Sequence, residues 1–209
     1  MEGKRIAVLV SGGGTNLQAL IDAQARGELG GGQITVVISS KVGAYALERA
    51  QKAGIPGYVL PRKEFVSNQA MTVALVKMLK EMSIDLVVLA GCMIIFTEEL
   101  VESYPNAIMN VHPALIPSFC GKGFYGLHVH EEVLSYGVKL SGATVHFVSE
   151  ECDGGPIIAQ KAVAVLEGDT PETLQKRIME EAEWKLLPEA VRLFCEDRLL
   201  VVGRNVIIK

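Results

Sequence analysis

Residues 5–20 read RIAVLVSGGGTNLQAL, and this stretch indicates the fold more directly than any other part of the chain. The apolar, β-branched run over residues 5–10 predicts a buried strand, and the glycines after Ser11 end it. Apolar residues then recur with helical spacing over residues 15–25. A buried strand that turns through glycines into a helix is typical of α/β proteins.

The same alternation continues along the chain and predicts its fold class. Further strands are predicted at residues 34–38, 57–60, 84–90 and 107–110, with helical patterns between them. The last third is predicted to hold a hairpin or bent pair at the sheet edge (141–148 and 156–165), one long helix (170–195) and a terminal hairpin (199–202 and 206–208). We therefore predict an α/β fold with an open, mostly parallel twisted sheet flanked by helices, Rossmann-like, and with a C-terminal hairpin.

The composition restricts the classes of protein to which the chain can belong. It has 209 residues, a net charge of −4 and 49% hydrophobic residues, which suits one α/β domain. No block of lysine and arginine stands out, so we expect no nucleic-acid partner. The longest apolar runs, such as residues 86–90, are too short to cross a bilayer, so we expect no membrane partner. Residues 1–5 lead directly into the first strand and leave no room for a signal peptide, which favours the cytoplasm.

The cysteines and histidines suggest neither a disulfide framework nor a metal site. Cys92, Cys120, Cys152 and Cys195 are separated by 28, 32 and 43 positions, and these spacings fit no zinc signature. The four histidines are not spaced as a metal set either. We expect reduced thiols and no metal.

The glycine turn is a candidate anion site. Glycines allow close approach of the backbone, and free N–H groups at the start of a helix point at negative charge. The turn is not a Walker A loop, and Leu17 stands where a dinucleotide fingerprint needs its third glycine. A mononucleotide or a simple phosphate is therefore favoured, and the alternative is a tight turn with no ligand.

A second motif, Asn110-Val111-His112-Pro113, follows a predicted parallel strand. Ligands of open α/β sheets bind outside the carboxyl ends of the strands, so this segment and the glycine turn face the same edge. Side chains two apart in extended chain point the same way, so Asn110 and His112 can contact one developing oxyanion. The alternative is a histidine with a purely structural role.

A third motif is a tight acidic loop that runs from Glu150 to Pro156 and contains Asp153-Gly154-Gly155. An acid held near His112 is expected to raise the pKa of His112 and favour imidazolium, and the alternative is that Asp153 only caps a turn. The preceding strand carries Thr144 and His146 on one face, where His146 is expected to support the loop through hydrogen bonds.

Taken together, these residues resemble the glycinamide ribonucleotide formyltransferase family, and the similarity covers nearly the whole chain. The residues that carry it are 11–19, 89–93, 110–113, 142–148 and 153–156. The resemblance implies one formyltransferase domain over residues 1–209, with a phosphate-binding half at 1–105 and a catalytic and folate-binding half at 106–209. It also implies transfer of a formyl group from 10-formyltetrahydrofolate, as co-substrate, to 5-phosphoribosylglycinamide in purine biosynthesis. The partners are then small molecules, and the chain is a monomer or a homodimer.

The resemblance also assigns roles to matching positions. Asn110 and His112 would stabilise the oxyanion, and Asp153 would orient His112 and a water, with Thr144 and His146 in support. The residues implied to hold the ribonucleotide are Gly14, Thr15 and Asn16, at its phosphate, and Glu183, at its amine. The residues implied to line the folate pocket are Met93, Ile94, Ile95, Phe96 and Asn110.

Two features depart from the family pattern. Ile94 and Asn68 stand where many relatives carry arginine, and we hypothesise that Arg62 or Lys63 compensates. The segment 118–126 is longer than in some relatives, and we expect it beside the phosphate site with Lys122 as a phosphate contact.

Other functions stay open at this point. Formyltetrahydrofolate deformylase shares the Asn/His/Asp core but usually carries an extra N-terminal domain and lacks the glycine-rich loop. Methionyl-tRNA formyltransferase would need a tRNA-binding domain and more positive charge. A non-catalytic nucleotide-binding module would explain the glycine loop but not the three polar residues together.

Overall fold

A computed structural model describes residues 3–209, so the first two residues, which entered the expectation about a signal peptide, lie outside it. The strands are β1 (Arg5–Val10), β2 (Gln33–Ser39), β3 (Gly57–Val59), β4 (Leu86–Leu89), β5 (Ile108–His112), β6 (Leu140–Phe147), β7 (Ile157–Ala164), β8 (Leu199–Val202) and β9 (Asn205–Ile208). The helices are α1 (Thr15–Ala25), α2 (Tyr45–Lys52), α3 (Asn68–Glu81), α4 (Glu98–Ser103), α5 (Leu127–Tyr136), α6 (Pro171–Ile178) and α7 (Trp184–Cys195). The predicted α/β class is confirmed.

All the strands just named belong to one sheet, in the order β3-β2-β1-β4-β5-β6-β7-β9-β8. The first five in that order run parallel, as predicted. The chain moves outward from β1 to β2 and β3, then returns to the other side of β1 with β4. This reversal leaves a crevice between the carboxyl ends of β1 and β4, where open α/β sheets bind ligands.

Helices cover both faces of the sheet, which explains the uninterrupted apolar strands. Ile6 and Val8 of β1 belong to a core shared with α1 and α7, whereas Ala7 and Leu9 face a core shared with α3 and α4. Alternation along one strand therefore fills two cores.

The predicted position of the β6–β7 hairpin at the sheet edge is wrong. Asn205 of β9 pairs in parallel with Ile157 of β7, and β8 forms the edge. A two-stranded hairpin has marginal stability alone, so the C-terminal hairpin is stabilised by joining the sheet. Pairing with a distant strand leaves no local sequence pattern.

The predicted long helix is also interrupted. A π-helical turn over Met179–Glu183 separates α6 from α7. Pro188 lies inside α7 and cannot donate a hydrogen bond to the preceding turn. Apolar spacing continues on both sides of the π turn, so periodicity does not reveal it. Such turns are frequent at functional sites.

No helix within residues 3–209 combines the length and the apolarity needed to cross a bilayer.

Candidate active site

The catalytic candidates lie on two adjacent antiparallel strands. Asn110 and His112 are inside β5, which extends two residues beyond the predicted strand end. In the register of β5 and β6, Asn110 is opposite His146 and His112 is opposite Thr144. Because side chains alternate between the faces of a sheet, all four project to one side.

Asp153 lies at the centre of this group. Its Oδ1 is 3.5 Å from Nδ2 of Asn110 and 3.6 Å from Nε2 of His146. Its Oδ2 is 3.6 Å from Nδ1 of His112 and accepts a hydrogen bond of 2.9 Å from the backbone N–H of Gly121. The structure thus brings Asn110, His112, Asp153 and His146 together, and Asn110 Nδ2 also lies 3.2 Å from Nε2 of His146.

The loop that carries Asp153 depends on its glycines and on a left-handed residue. Asp153 has φ 54°, a conformation that aspartate tolerates better than most residues. A Cβ on Gly155 would overlap the carbonyl oxygen of Phe147, so only glycine lets the loop pass this close to β6. The carboxylate is therefore held by backbone geometry as well as by hydrogen bonds.

The environment of His112 corrects one expectation. Its side chain is 4% exposed. Burial lowers the pKa of His112 below its usual value, and the Asp153 carboxylate and the Phe119 carbonyl oppose this shift without reversing it. The expectation of a raised pKa is wrong as a net result, because desolvation of the charged ring outweighs a carboxylate 3.6 Å away. The neutral imidazole is the favoured form.

Asp153 is favoured in its charged form. Burial raises the pKa of this carboxyl, but the contact with His146, the attraction of His112 in its protonated form at acidic pH and the Gly121 N–H together bring the pKa below its usual value. A neutral imidazole and a carboxylate therefore stand side by side.

The long segment 118–126 contacts two of the candidate catalytic residues, His112 and Asp153. The carbonyl oxygen of Phe119 is 2.8 Å from Nε2 of His112, and the N–H of Gly121 binds Asp153. Sequence analysis missed both contacts because backbone groups carry no residue signature. Lys122 is exposed, and its predicted role at a phosphate stays a prediction.

Thr144 anchors the chain that follows β5. Its hydroxyl donates to the carbonyl of Ala114 at 2.7 Å, and it accepts from the N–H of Ile116 at 3.1 Å and from Nε2 of Gln160 at 2.9 Å. Gln160 also donates to the Ile116 carbonyl at 2.9 Å. Gln160, on β7, was not predicted, since only the pairing of β6 with β7 brings it to this site.

The glycine loop leads into α1 at a left-handed residue. Gly14, the N-cap of α1, has φ 72°, and a Cβ there would lie 2.6 Å from the Cβ of Ala46. The first N–H groups of an α-helix have no acceptor within the helix, so those of α1 are available to an anion. Thr15 Oγ1 contacts the sulfur of Met179 at 3.7 Å.

Asn16 and Glu183 form a buried pair behind this loop. Nδ2 of Asn16 donates to Oε2 of Glu183 at 2.6 Å. Burial raises the pKa of Glu183 to about 7, and the hydrogen bond from Asn16 opposes that rise. The carboxyl is thereby placed beside the glycine loop and close to equal protonation at neutral pH.

The predicted folate-lining segment follows β4 at the crevice. Met93 and Ile95 are 57% and 65% exposed, whereas Ile94 and Phe96 line a small apolar cleft. The Arg62 guanidinium donates to the side-chain carbonyl of Asn68 and, at 2.7 Å, to the Phe65 carbonyl. A cation therefore stands at Asn68, as the compensation hypothesis requires, and the ligand it serves stays a prediction.

No group of three or more His, Cys, Asp or Glu side chains between residues 3 and 209 is arranged to hold a metal ion. The cysteines are free thiols.

A model of the formyl transferase family matches residues 4–191. The chain belongs to this family. This formyl transferase is 45% identical to the glycinamide ribonucleotide transformylase 1 of Symbiobacterium toebii, whose crystal structure superposes with a TM-score of 0.93 over 99% of this chain and 94% of the other.

Curated relatives are also formyltransferases by name. The Haemophilus influenzae phosphoribosylglycinamide formyltransferase is 40% identical over 94% of this chain and 89% of its own length. The chloroplastic phosphoribosylglycinamide formyltransferase of Arabidopsis thaliana is 41% identical over 94% of this chain, which spans 67% of that protein. The predicted family is confirmed.

Proposed function

We propose that this chain transfers the formyl group of 10-formyltetrahydrofolate to the amine of 5-phosphoribosylglycinamide. The observation that carries the proposal is the contact of Asp153 with both Asn110 and His112, at 3.5 and 3.6 Å, on a sheet that also presents a glycine loop at its ligand-binding edge. The names of the relatives support the same reaction.

The glycine loop suits the phosphate of the ribonucleotide. Backbone N–H groups of Thr15 and Asn16 at the start of α1 bind the phosphate, and the helix dipole favours its charge. The side chain of Asn16 is engaged with Glu183, so it holds that carboxyl in place for a hydrogen bond to the ribonucleotide. Fixing the phosphate brings the amine to the formyl carbon, which reduces the entropic part of the barrier.

Attack by the amine produces an alkoxide and releases a proton, and the polar group on β5 suits both. The Asn110 amide donates to the alkoxide, and one such preorganised donor typically contributes about 3–4 kcal/mol. The lowered pKa of His112 keeps its ring neutral and ready to accept the proton. Because Nε2 of His112 faces the Phe119 carbonyl, the proton is taken up at Nδ1, where the Asp153 carboxylate stabilises the imidazolium. The imidazolium then gives this proton to N10 of the folate as the bond between the formyl carbon and N10 breaks and the alkoxide re-forms a carbonyl.

Exposed apolar side chains in the segment after β4 support a folate-binding site there. Met93 and Ile95 expose large hydrophobic surfaces beside the crevice, as expected of a segment that contacts a flat ring system. Arg62, held at Asn68, supplies a cation for the carboxylates of the folate tail.

Turnover with and without the amine distinguishes this activity from deformylation. The protein is incubated with 10-formyltetrahydrofolate, with or without 5-phosphoribosylglycinamide, and the folate absorbance is followed. Tetrahydrofolate that forms only with the amine supports formyl transfer. Formation at the same rate without the amine identifies a deformylase, and binding without turnover identifies a non-catalytic module.

A further inference from the structure

Ser11 links three strand ends at the ligand-binding crevice. It follows β1, its side chain is only 3% exposed, and its Oγ lies 2.7 Å from Oγ of Ser40, which follows β2. The same Oγ accepts a hydrogen bond of 2.8 Å from the backbone N–H of Met93, which comes after β4. In the sheet β2, β1 and β4 are neighbours, so one hydroxyl spans the crevice.

The two segments joined by this hydroxyl are proposed to bind different ligands of the reaction. Ser11 leads directly into the glycine loop proposed for the phosphate. Met93 opens the segment proposed for the folate. The glycine loop is fixed on its other side as well, because its carbonyls accept from the N–H of Ala46 at 3.1 Å and from Nε of Arg49 at 2.8 Å. Ser11 therefore joins an anchored glycine loop to the segment that begins at Met93.

We propose that Ser11 is a positioning residue through which binding of the phosphorylated amine tightens binding of the folate, and the reverse. The inference rests on the proposed function. The side chain of Met93 is exposed on a segment outside any helix or strand, and the bond from its N–H to Ser11 restrains the start of that segment. A ligand that orders one segment reduces the ordering cost for the other, which is positive coupling without contact between the ligands.

Ser11→Ala removes the acceptor of the Met93 N–H, and Ser40→Ala is the matched control. The control deletes the neighbouring hydroxyl but leaves the oxygen of Ser11 in place for Met93. Tetrahydrofolate, which has no formyl group to transfer, serves as the probe, and its Kd is measured by calorimetry with and without saturating 5-phosphoribosylglycinamide.

In the unaltered protein we expect the ribonucleotide to lower the Kd of tetrahydrofolate by about 5-fold or more. In Ser11→Ala this factor falls to about one, and the Kd without ribonucleotide rises about 10-fold because the Met93 N–H loses its acceptor. Ser40→Ala keeps the coupling factor. Equal coupling in Ser11→Ala and the unaltered protein, or equal loss in both variants, overturns the role of Ser11.

Amide hydrogen exchange tests the same link without any substitution. We expect the ribonucleotide alone to slow exchange of the Met93 amide several-fold, and unchanged exchange overturns the inference. The failures are distinguishable. If the unaltered protein binds both ligands with no mutual effect, the coupling is wrong and formyl transfer stands. If it binds neither ligand, the proposed function itself is wrong.

Discussion

Asn16 donates a hydrogen bond of 2.6 Å to Glu183 across 167 positions of sequence, and so connects the start of α1 to the π turn before α7. The acceptor is a buried carboxyl beside a loop suited to an anion. Phosphate binding at this loop, as proposed, would place a second negative group near this carboxyl. The raised pKa of Glu183, about 7, would allow the carboxyl to take up a proton when the proposed phosphate binds.

Replacing Glu183 by glutamine is expected to change how stability depends on pH. The pKa of Glu183 is about 7 in the folded protein against 4.5 for the free side chain, so the folded state holds the proton more tightly. Glu183 makes its full contribution to the free energy of unfolding below pH 4.5, and this contribution is lost as the pH rises to about 7. The loss amounts to about 3 kcal/mol in order of magnitude.

Glu183→Gln keeps an acceptor for Asn16 but cannot ionise. Relative to the unaltered protein, the variant should therefore gain stability between pH 5 and pH 8, as measured by denaturant unfolding at both values. Parallel stability curves for the two proteins would contradict the raised pKa.

Replacing His112 by alanine is expected to lower kcat by about 10²–10⁴, because in the proposed mechanism the ring accepts the proton released on attack. Circular dichroism should show the fold retained. His128→Ala is the control, since His128 is also a histidine of this region but lies half-exposed on α5 beside Glu131. Near-normal turnover in His112→Ala would remove His112 from the chemistry.

Asp153→Asn is expected to lower kcat and to move the acidic limb of the pH–rate profile to lower pH. The carboxylate is the largest contribution that raises the pKa of His112, so its loss lets burial lower that pKa further. The neutral ring then persists to lower pH. Glu151→Gln alters an exposed carboxyl in the same loop and should leave the limb in place. A limb that does not move, or that moves upward, rejects the assignment of that limb to His112.

Gly14→Ala is expected to destabilise the protein by about 1–3 kcal/mol and to raise the KM for the ribonucleotide. The new Cβ meets Ala46 at 2.6 Å, and φ 72° is unfavourable for alanine. Gly13→Ala is the matched control, because a Cβ at Gly13 meets nothing within 4 Å. Thermal unfolding and steady-state kinetics of both variants check this, and equal effects at the two positions would count against the strain at Gly14.

Local sequence patterns were sufficient to predict most of the sheet and part of the candidate site. Apolar strands covered on both faces, glycine punctuation and the two-residue spacing of Asn110 and His112 all depend on neighbours in the chain. They therefore predicted the parallel strands, the shared ligand edge and the shared orientation of those two side chains. The resemblance to the family implied that Asp153 belongs to the same group.

Distances between remote residues were decided by the tertiary structure. The place of β9 beside β7, the bond between Asn16 and Glu183, and the contact of Gly121 with Asp153 join segments that no periodicity relates. The protonation state of His112 belongs to the same class, because desolvation depends on everything packed around the ring. Periodicity records which side of an element is buried, whereas packing decides what each buried group meets there.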